Sequence, residues 1–339
     1  MERTGTQLGS REDPSPAAMR DFARRAEELG YETVWVGESW GRDAFALITY
    51  MATATERLQF GTGIVNVFSR SPALIAQTAA TVDELSGGRL ILGLGTSGAN
   101  VIEHWHGLRY EKPVTRMREY IEIVQQILRG ERLNYDGAIF HMSRGFPLPF
   151  KPLRPSIPIY LATLAGRSLE ITGELADGWL PIYFWPEHFD QLTAPIRAGA
   201  EKAGRDFSAI TITPYILTAV SDDGDEARSL MRAHIAYYVG GMGVYYYRLI
   251  ANYGFMDEAE RIRAAWTERD RARAASYVTD TLVDAVTISG TPAHCRERLA
   301  EYRALGVQAP CVSFPHGASA RMVRETLEVM APQDVGRRA

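Results

Sequence analysis

The stretch Leu90-Ile-Leu-Gly-Leu-Gly-Thr-Ser-Gly98 changes from an apolar run into small residues, and this change is the main indication of the fold. Its first half predicts a buried strand that ends at Leu94. The residues from Gly95 to Gly98 are too small to build a core, but they let a flat or anionic ligand approach the backbone closely. Two histidines, a tryptophan and a carboxylate follow in Glu103-His-Trp-His-Gly107. An apolar strand that ends in small and then reactive residues indicates a binding site at the carboxyl edge of a parallel sheet.

The composition of the 339-residue chain limits the class of protein. Apolar residues make up 46% and charged residues 23%, which is typical of a globular protein with a large core. The formal net charge of -4 predicts no nucleic-acid partner, and the absence of a long apolar run predicts no membrane partner. No signal peptide is expected at the amino terminus. Cys295 and Cys311 are isolated, which favours a reducing cytoplasm over a disulfide framework or a zinc site.

Strand and helix patterns alternate along the chain. The predicted strands are Thr4–Leu8, Thr33–Gly37, Leu58–Val65, Leu90–Leu94, Ile159–Ala162, Gly178–Ile182, Ile210–Val220 and Val307–Phe314. The predicted helices are Pro16–Leu29, Asp43–Thr55, Pro72–Leu85, Pro113–Leu128, Ser168–Ala176, Pro186–Ala203, Asp225–Tyr238, Pro292–Leu305 and Ala320–Met330. This α/β order predicts a (β/α)8 TIM barrel that forms a single domain over residues 1–339.

Two segments depart from the alternation. Asn134–Met142 contains an Asp-Gly pair that is typical of a hairpin turn. Residues 239–290 are too long for a connection, so we interpret them as a helical insertion after the seventh strand. An open doubly wound sheet is the alternative fold. The barrel is favoured because no Gly-x-Gly-x-x-Gly follows the first strand and no shift in charge marks a second domain.

Candidate proton donors lie near the predicted strand ends. Glu38 follows the second strand and can act as a general acid, or it can simply pair with Arg42 or Arg70. His104 and His106 form a His-x-His pair that is too weak a pattern to predict a metal site, so we expect no metal, and either ring can be a proton donor or a structural group. Tyr246 lies in a segment of glycines and tyrosines, residues 239–247, that predicts a lid or only helix packing.

Candidate ligand-binding residues are small or polar and also follow strands. In the third strand, glycines that include Gly63 predict a bulge or relieve crowding, and Asn66 offers an amide. Thr96, Ser97 and Gly98 offer small donors after the fourth strand. The turn after the fifth strand, residues 162–168, enters a helix and can present backbone N–H groups and the Arg167 charge to a phosphate, although many such turns hold no ligand.

Taken together, these stretches resemble the luciferase-like monooxygenase superfamily, and most of all its coenzyme F420-dependent branch, which includes the methylenetetrahydromethanopterin reductases. The residues that carry the resemblance run in family order over nearly the whole chain. They are 26–38, Phe60-Gly-Thr-Gly-Ile64, 83–96, Trp105-His-Gly107, Glu111-Lys-Pro113 and Glu174-Leu-Ala-Asp-Gly-Trp179. Each motif is modest by itself, but the set is specific for the superfamily.

The resemblance implies a barrel with an insertion, often dimeric, and a flavin or deazaflavin that lies over the strand ends. It implies a non-prolyl cis peptide bond behind the ring, which maps onto Gly63-Ile64. It also implies that Ser39 and Thr96–Gly98 lie along the ring and its side chain. The phosphate of the cofactor is expected at the turn after the fifth strand, and the residues expected there are Thr163, Ala165, Gly166 and Arg167.

The chain departs at three positions from the enzymes that it resembles. Ser39 stands where the glucose-6-phosphate dehydrogenase members carry a histidine, and Gly98 stands where they carry a glutamate. Gln7 stands where the methanopterin reductases carry a glutamate. These differences argue against the specific substrates of those enzymes.

The resemblance therefore implies a cytoplasmic oxidoreductase, expected to be a homodimer, that moves a hydride between C5 of coenzyme F420 and a small-molecule or peptide substrate. The acceptor is expected to be an activated C=C bond, such as that of a dehydroamino acid, or a C=N bond. Glu38 is the first candidate for the proton donor, followed by His104, His106 and Tyr246. Two alternatives stay open: an FMN-dependent monooxygenase of the same fold, and a non-catalytic barrel that binds a deazaflavin.

Overall fold

The computed structural model describes residues 2–8 and 15–332. Its strands are β1 (Gly5–Gln7), β2 (Thr33–Val36), β3 (Gln59–Thr62), β4 (Val65–Asn66), β5 (Leu90–Gly95), β6 (Leu133–Asp136), β7 (His141–Phe146), β8 (Ile159–Ala162), β9 (Gly178–Trp179), β10 (Thr211–Ile212), β11 (Tyr215–Val220), β12 (Thr287–Gly290) and β13 (Cys311–Ser313). Strands and helices alternate through most of the described chain, as the sequence predicts.

The helices pack around the sheet. They are α1 (Pro16–Glu28), α2 (Ala44–Ala52), α3 (Pro72–Leu85), α4 (Ala99–His104), α5 (Pro113–Leu128), α6 (Arg167–Leu175), α7 (Phe189–Lys202), α8 (Gly224–Gly241), α9 (Val244–Asn252), α10 (Met256–Thr267), α11 (Arg271–Ser276), α12 (Asp280–Val286), α13 (Pro292–Ala304) and α14 (Ala320–Val329). Their starts follow from local sequence. For example, the Asp43 side chain accepts the Ala46 N–H at the start of α2, and Ser71 caps α3 before a proline.

The main sheet is parallel and curled. Its strand order is β10-β9-β8-β5-β3-β2-β1-β13-β11-β12, with β4 paired to β5. The first and the ninth strand of this order, β10 and β11, are neighbours in the chain, and Tyr215 of β11 forms bridges to both Ile182 and Cys311. The sheet therefore curls until its ends meet. The predicted α/β class is confirmed, and the sheet of the predicted (β/α)8 barrel is observed as a curled parallel sheet.

The third predicted strand, Leu58–Val65, is divided in two. β3 pairs with β5 through Phe60 and Leu90, and β4 pairs with β5 through Val65 and Leu94. Gly63-Ile64 separates the two segments, and its peptide bond is cis, as the resemblance implies.

The inner face of the curled sheet holds an aromatic cluster. Trp35 is buried, with its ring centroid 5.5 Å from that of Tyr160 and 6.2 Å from that of Tyr215. A Cβ atom at Gly61 would lie 2.2 Å from the Trp35 ring, so only glycine fits there. This glycine therefore relieves crowding, which was one of the two interpretations of the glycines in this strand. A larger core lies between the outer face and the helices.

The segment 239–290 contains the end of α8 and all of α9 to α12, in agreement with its predicted helical character. It ends in a strand, β12, that the sequence did not indicate. β12 pairs in parallel with the second half of β11, from Leu217–Thr287 to Val220–Gly290. The interpretation of the segment as an insertion stays a prediction. Within the described ranges, no helix is both long and apolar enough to cross a membrane.

Two further local expectations can be compared with the structure. The Asp-Gly hairpin is present, because β6 and β7 pair antiparallel and Asp136 faces His141 across the turn. The small-residue end of the fourth predicted strand leads into the short helix α4, which was not predicted. Cys295 and Cys311 are both buried free thiols.

Candidate functional site

The carboxyl ends of the parallel strands meet at one edge of the curled sheet. Most of the residues singled out from the sequence follow these ends, in the turns after β2, β3, β5 and β8. Ser39 and Trp40 are exposed in the turn after β2, and Ile64 is partly buried in the inner-face cluster. The topology therefore gathers these predicted residues at a single edge, which is where ligands bind in such sheets.

Glu38 forms an ion pair with Arg70. The Arg70 Nη atoms lie 2.5 and 3.0 Å from the two carboxylate oxygens of Glu38, and Oε2 also accepts the Ala44 N–H at 2.9 Å. The Arg70 guanidinium also contacts Asp43, and its hydrogen bonds to Glu38 raise the pKa of Arg70. A carboxylate held in this way anchors the start of α2. The geometry thus favours the ion pair with Arg70 over the predicted general-acid role.

Asn66 organises the turn that follows β4. Its Oδ1 accepts the Phe68 N–H at 3.0 Å and the Ser69 N–H at 2.7 Å, so the amide oxygen is committed to the protein. Its Nδ2 lies 3.5 Å from Nε2 of His106. His104 is the last residue of α4 and is exposed. The structure thus brings His106, rather than His104, next to another predicted site residue.

The turn after β5 is fixed by a tyrosine that the sequence analysis missed. The Tyr110 hydroxyl lies 3.2 Å from Thr96 Oγ1 and donates to the Ser97 carbonyl at 3.2 Å. The Tyr110 ring stacks on Phe68 at 5.1 Å, and burial raises the pKa of Tyr110 to about 12. Gly98 is the N-cap residue of α4. Tyr110 therefore stays protonated and holds the small-residue turn in place.

The turn after β8 leads into α6. Thr163 is buried, with its hydroxyl 2.8 Å from that of Thr172 and its carbonyl accepting the Trp179 indole N–H at 2.9 Å. Gly166 is the N-cap of α6 at φ 57° and makes no side-chain capping bond, and the Ala165 carbonyl accepts the Ser168 hydroxyl at 2.7 Å. The amino terminus of this helix is therefore suited to an anion.

Arg167 is the first residue of α6. Its guanidinium pairs with Glu170 and with Glu174, the latter at 3.3 Å, so nearby carboxylates balance part of its charge.

Tyr246 belongs to an aromatic cluster near the ends of the last strands. Its ring lies edge-on to Tyr183 at 6.3 Å and to Tyr238 at 4.9 Å, and burial raises its pKa. His234 of α8 stacks on Tyr238 at 4.9 Å, and His316, which follows β13, lies 4.2 Å from His234. The sequence analysis missed both histidines. The sequence held two weak signals for them. His316 follows the last predicted strand, and His234 lies on a mostly buried face of its predicted helix.

The turn between α8 and α9 joins this cluster to the end of β5. The Met242 carbonyl oxygen lies 4.0 Å from the Cβ position of Gly98, and the Tyr245 side chain lies near that of Tyr110. Tyr246 follows directly. One turn of chain therefore lies between the small-residue turn and the aromatic cluster, and both the lid and simple helix packing stay predictions.

Gln7, at the carboxyl end of β1, pairs with the end of the neighbouring strand. The Ser313 hydroxyl donates to Gln7 Oε1 at 2.6 Å. This bond fixes the carboxamide, and its oxygen is engaged by the protein. In residues 2–8 and 15–332, no group of three or more His, Cys, Asp or Glu side chains is placed to hold a metal ion.

Comparisons with known sequences agree with this arrangement. A family model described as luciferase-like monooxygenase matches residues 1–309. A Mycobacterium tuberculosis protein assigned as a coenzyme F420-dependent oxidoreductase is 32% identical over 345 aligned residues, which cover 95% of this chain and 97% of the relative. The 5,10-methylenetetrahydromethanopterin reductase of Archaeoglobus fulgidus is 34% identical over 302 residues, which cover 87% of this chain and 89% of the relative.

Solved structures share the fold. The coenzyme F420-dependent tetrahydromethanopterin reductase of Methanopyrus kandleri superposes with a TM-score of 0.84 at 24% identity, over 98% of each chain. An F420-dependent secondary alcohol dehydrogenase, solved with an F420-acetone adduct, superposes with a TM-score of 0.78 at 20% identity, over 97% of each chain. At these identities the similarity establishes the fold alone.

Proposed function

Because the chain belongs to the luciferase-like monooxygenase family, we propose that it is a coenzyme F420-dependent oxidoreductase, an enzyme that moves a hydride between C5 of the deazaflavin and an organic substrate. The observation that carries the proposal is the shared edge of the curled sheet, where the small-residue turn after β5 and the open start of α6 lie together. The relatives named for F420 support this choice of cofactor.

The residues present fit a flat ring with a phosphate tail. Nothing lies within 4 Å of the Cβ position of Gly166, and the nearest atom to that of Gly98 is 4.0 Å away. Both turns therefore leave open space beside backbone N–H groups. Gly95 packs its Cα side against Ile64, whose side chain lies 3.2 Å from the Cβ position of Gly95. Gly95 and Ile64 therefore form an apolar surface, which suits the flat ring of a deazaflavin.

The roles proposed for individual residues follow from these positions. Gly63, Ile64 and Asn66 would support the ring from β3 and β4, and Ser39 and Thr96–Gly98 would lie along its edge and side chain. The residues that would hold the phosphate are Thr163, Ala165, Gly166 and Arg167. When bound, the deazaflavin would supply the two-electron hydride chemistry. The protein would orient the reactants and exclude water, with Tyr110 holding the turn at Thr96.

The acceptor proposed for this enzyme is an activated C=C bond, such as that of a dehydroamino acid, or a C=N bond. Gln7 presents a neutral carboxamide at this edge where the methanopterin reductases carry a glutamate. The uncharged side chain suits an acceptor that needs no carboxylate partner there. The aromatic side chains of Tyr183, Tyr238 and Tyr246 would form an apolar wall on the substrate side.

A direct titration tests the cofactor. We expect the apo-protein to bind F420 at least about tenfold more tightly than FMN, a difference of about 1.4 kcal/mol. The measurement is quenching of each cofactor's fluorescence under identical buffer conditions. Tighter binding of FMN would instead favour the monooxygenase alternative, and no binding of either cofactor would refute the proposal.

A turnover assay tests the reaction. Reduced F420 is mixed with the protein and a panel of methylenetetrahydromethanopterin, a cyclic imine, a dehydroalanine-containing peptide and simple ketones. We expect one class to oxidise the cofactor, seen as a return of the visible absorption of its oxidised form. Tight binding of F420 with no turnover over the panel would favour the non-catalytic alternative.

We also propose that the enzyme is a cytoplasmic homodimer. Neighbouring helices α2 and α3 expose the large apolar side chains of Tyr50, Leu74 and Leu85. Such side chains on adjacent helices are suited to a protein interface. Light scattering after gel filtration should give a molar mass of about twice the 37.7 kDa of one chain. A molar mass equal to that of one chain would contradict the dimer.

A further inference from the structure

His316 occupies a defined place at the carboxyl edge of the sheet. It lies three residues after the end of β13 and is half-buried. Its backbone N–H donates to Nδ1 of His234 at 3.0 Å, and the two ring centroids are 4.2 Å apart. The two histidines are 82 residues apart in the sequence. The fold alone brings them together.

The backbone hydrogen bond gives the two rings different tasks. Nδ1 of His234 accepts a hydrogen bond, so in the neutral ring the proton lies on Nε2. A second proton, on Nδ1, would point at the N–H of residue 316 and would replace that hydrogen bond with a repulsive contact. The His234 ring is buried and stacks on Tyr238 with an interplanar angle of 8°. His234 is therefore suited to hold its neighbour while staying neutral. His316, which is less buried, is suited to gain and lose a proton.

His316 follows β13, so it lies at the same carboxyl edge of the sheet as the turn after β5. Its ring lies 5.3 Å from Tyr237 and 6.1 Å from Tyr238, and Tyr238 packs on Tyr246. Tyr245, the residue before Tyr246, lies near Tyr110, which holds the turn at Thr96. A continuous set of contacts thus runs from the proposed ring-binding turn to the two histidines.

We propose that His316 is the catalytic residue that exchanges a proton with the substrate, and that His234 is the positioning residue that holds it. This inference rests on the proposed function. In substrate reduction, bound F420 would supply the hydride, and with it two electrons, to the acceptor carbon. The N–H bond of the His316 imidazolium breaks, and its proton is transferred to the other atom of the acceptor double bond. Without that proton, this atom would become an anion. Water then returns a proton to the neutral ring. Substrate oxidation reverses each step.

The groups that surround His316 lie on several elements, and all of them except the Trp266 indole are titratable. They are His234, Tyr237 and Tyr238 of α8, with Tyr183 after β9, Tyr246 of α9 and Trp266 of α10 behind them. The tyrosines Tyr183 and Tyr246 have pKa values raised by burial, so they stay neutral where a histidine titrates. The two directions of reaction are therefore expected to depend oppositely on pH. Reduction should slow as pH rises through the range of an ordinary histidine, about 6.5, and oxidation should accelerate.

Variants of the full-length protein test the assignment. His316→Gln is expected to lower kcat by about 10²-fold or more and to remove that pH dependence, while the Kd for F420 changes by less than about threefold. His234→Asn keeps an acceptor near Nδ1 and should retain most of kcat, whereas His234→Leu removes the acceptor and should lower kcat by about tenfold. His141→Gln changes an exposed histidine of β7 and serves as the control, with kcat unchanged.

Nuclear magnetic resonance of the histidine rings gives a readout that does not depend on turnover. In the apo-protein, the His316 signal should titrate between about pH 5 and 8 while that of His234 does not, and the His316 titration should move in His234→Leu but not in His234→Asn. Addition of F420 should shift the His316 signal and leave that of His141 in place. Circular dichroism confirms that each variant is folded.

The outcomes separate this inference from the proposed function. If the wild-type protein binds no F420, the proposed function fails, and the inference fails with it. If the wild-type protein turns over and His316→Gln has full kcat with an unchanged pH dependence, only the inference fails. A His316 signal that is insensitive to both F420 and the His234 substitutions would also overturn it.

Discussion

The Arg70 guanidinium holds both carboxylate oxygens of Glu38, at 2.5 and 3.0 Å, across 32 residues of sequence. The same carboxylate accepts the first N–H of α2, so the turn after β2, the start of α2 and the turn before α3 are joined at one ion pair. Glu38 side-chain atoms are only 10% exposed and those of Arg70 18%, which limits the screening of this pair by water. Glu38 therefore stabilises the edge of the sheet on which the proposed site is built.

We expect Glu38→Gln to lower the free energy of unfolding by about 1–3 kcal/mol, because it leaves Arg70 with a weaker acceptor. Urea denaturation measures the change. Glu260→Gln, at an exposed position of α10, is the matched control and should change stability by less than about 0.5 kcal/mol. Unchanged stability with a total loss of turnover and retained F420 binding would restore the general-acid role.

Gly63 and Tyr215 are expected to be coupled. A Cβ atom at residue 63 would lie 1.8 Å from the Tyr215 hydroxyl oxygen, so Gly63→Ala should destabilise the protein by about 1–3 kcal/mol. Tyr215→Phe removes that oxygen, and the double variant should recover part of the loss. Gly41→Ala is the control, since nothing lies within 4 Å of its Cβ position. If the losses of unfolding free energy of the two substitutions simply add, the contact between residue 63 and the Tyr215 hydroxyl is not the cause of the destabilisation.

Tyr110 should make stability depend on pH under alkaline conditions. Burial raises its pKa to about 12, whereas an unfolded tyrosine titrates at about 10. The folded state therefore holds the proton more tightly, and this contribution is complete below about pH 10 and is lost as the pH rises towards about 12. Tyr110→Phe should be about 1 kcal/mol less stable at neutral pH and should lose less stability than the wild type above about pH 10. Denaturation curves at both pH values measure this, and parallel losses in the two proteins would refute it.

Arg167 should discriminate between cofactor forms. If the start of α6 holds the phosphate, Arg167→Gln should weaken F420 binding by about 3–10-fold, because one charge near the helix terminus is lost. Binding of the deazaflavin chromophore without its phosphate tail should change by less than about twofold. Arg261→Gln, an exposed arginine of α10, is the control. Equal weakening of the binding of both ligands would show that the phosphate does not bind at the start of α6.

Several features of the fold follow from residues close together in the chain. The strand at Leu90–Gly95, the caps at Asp43 and Ser71 and the hairpin turn after Asp136 all follow from short-range patterns, and the structure has them. These features depend on backbone preferences and hydrogen bonds that a few consecutive residues decide. The motifs of the family resemblance are local in the same sense, and they identified the superfamily that the family model then matched.

The sequence did not decide which distant side chains would meet, since it left both Arg42 and Arg70 open as partners of Glu38. β12 was missed because its pairing with β11 is a tertiary contact, and the segment before it is strongly helical.

By itself, the sequence determined the alternating α/β architecture, the family and the edge of the sheet at which the candidate site residues gather. Only the tertiary structure decided that Glu38 pairs with Arg70, that Tyr110 holds the turn at Thr96, and that His234 lies against His316. The reason is physical: a helix cap or strand pattern is set by neighbours in the chain, whereas an ion pair or a histidine pair forms only where the packed sheet brings separate strand ends within a few ångströms.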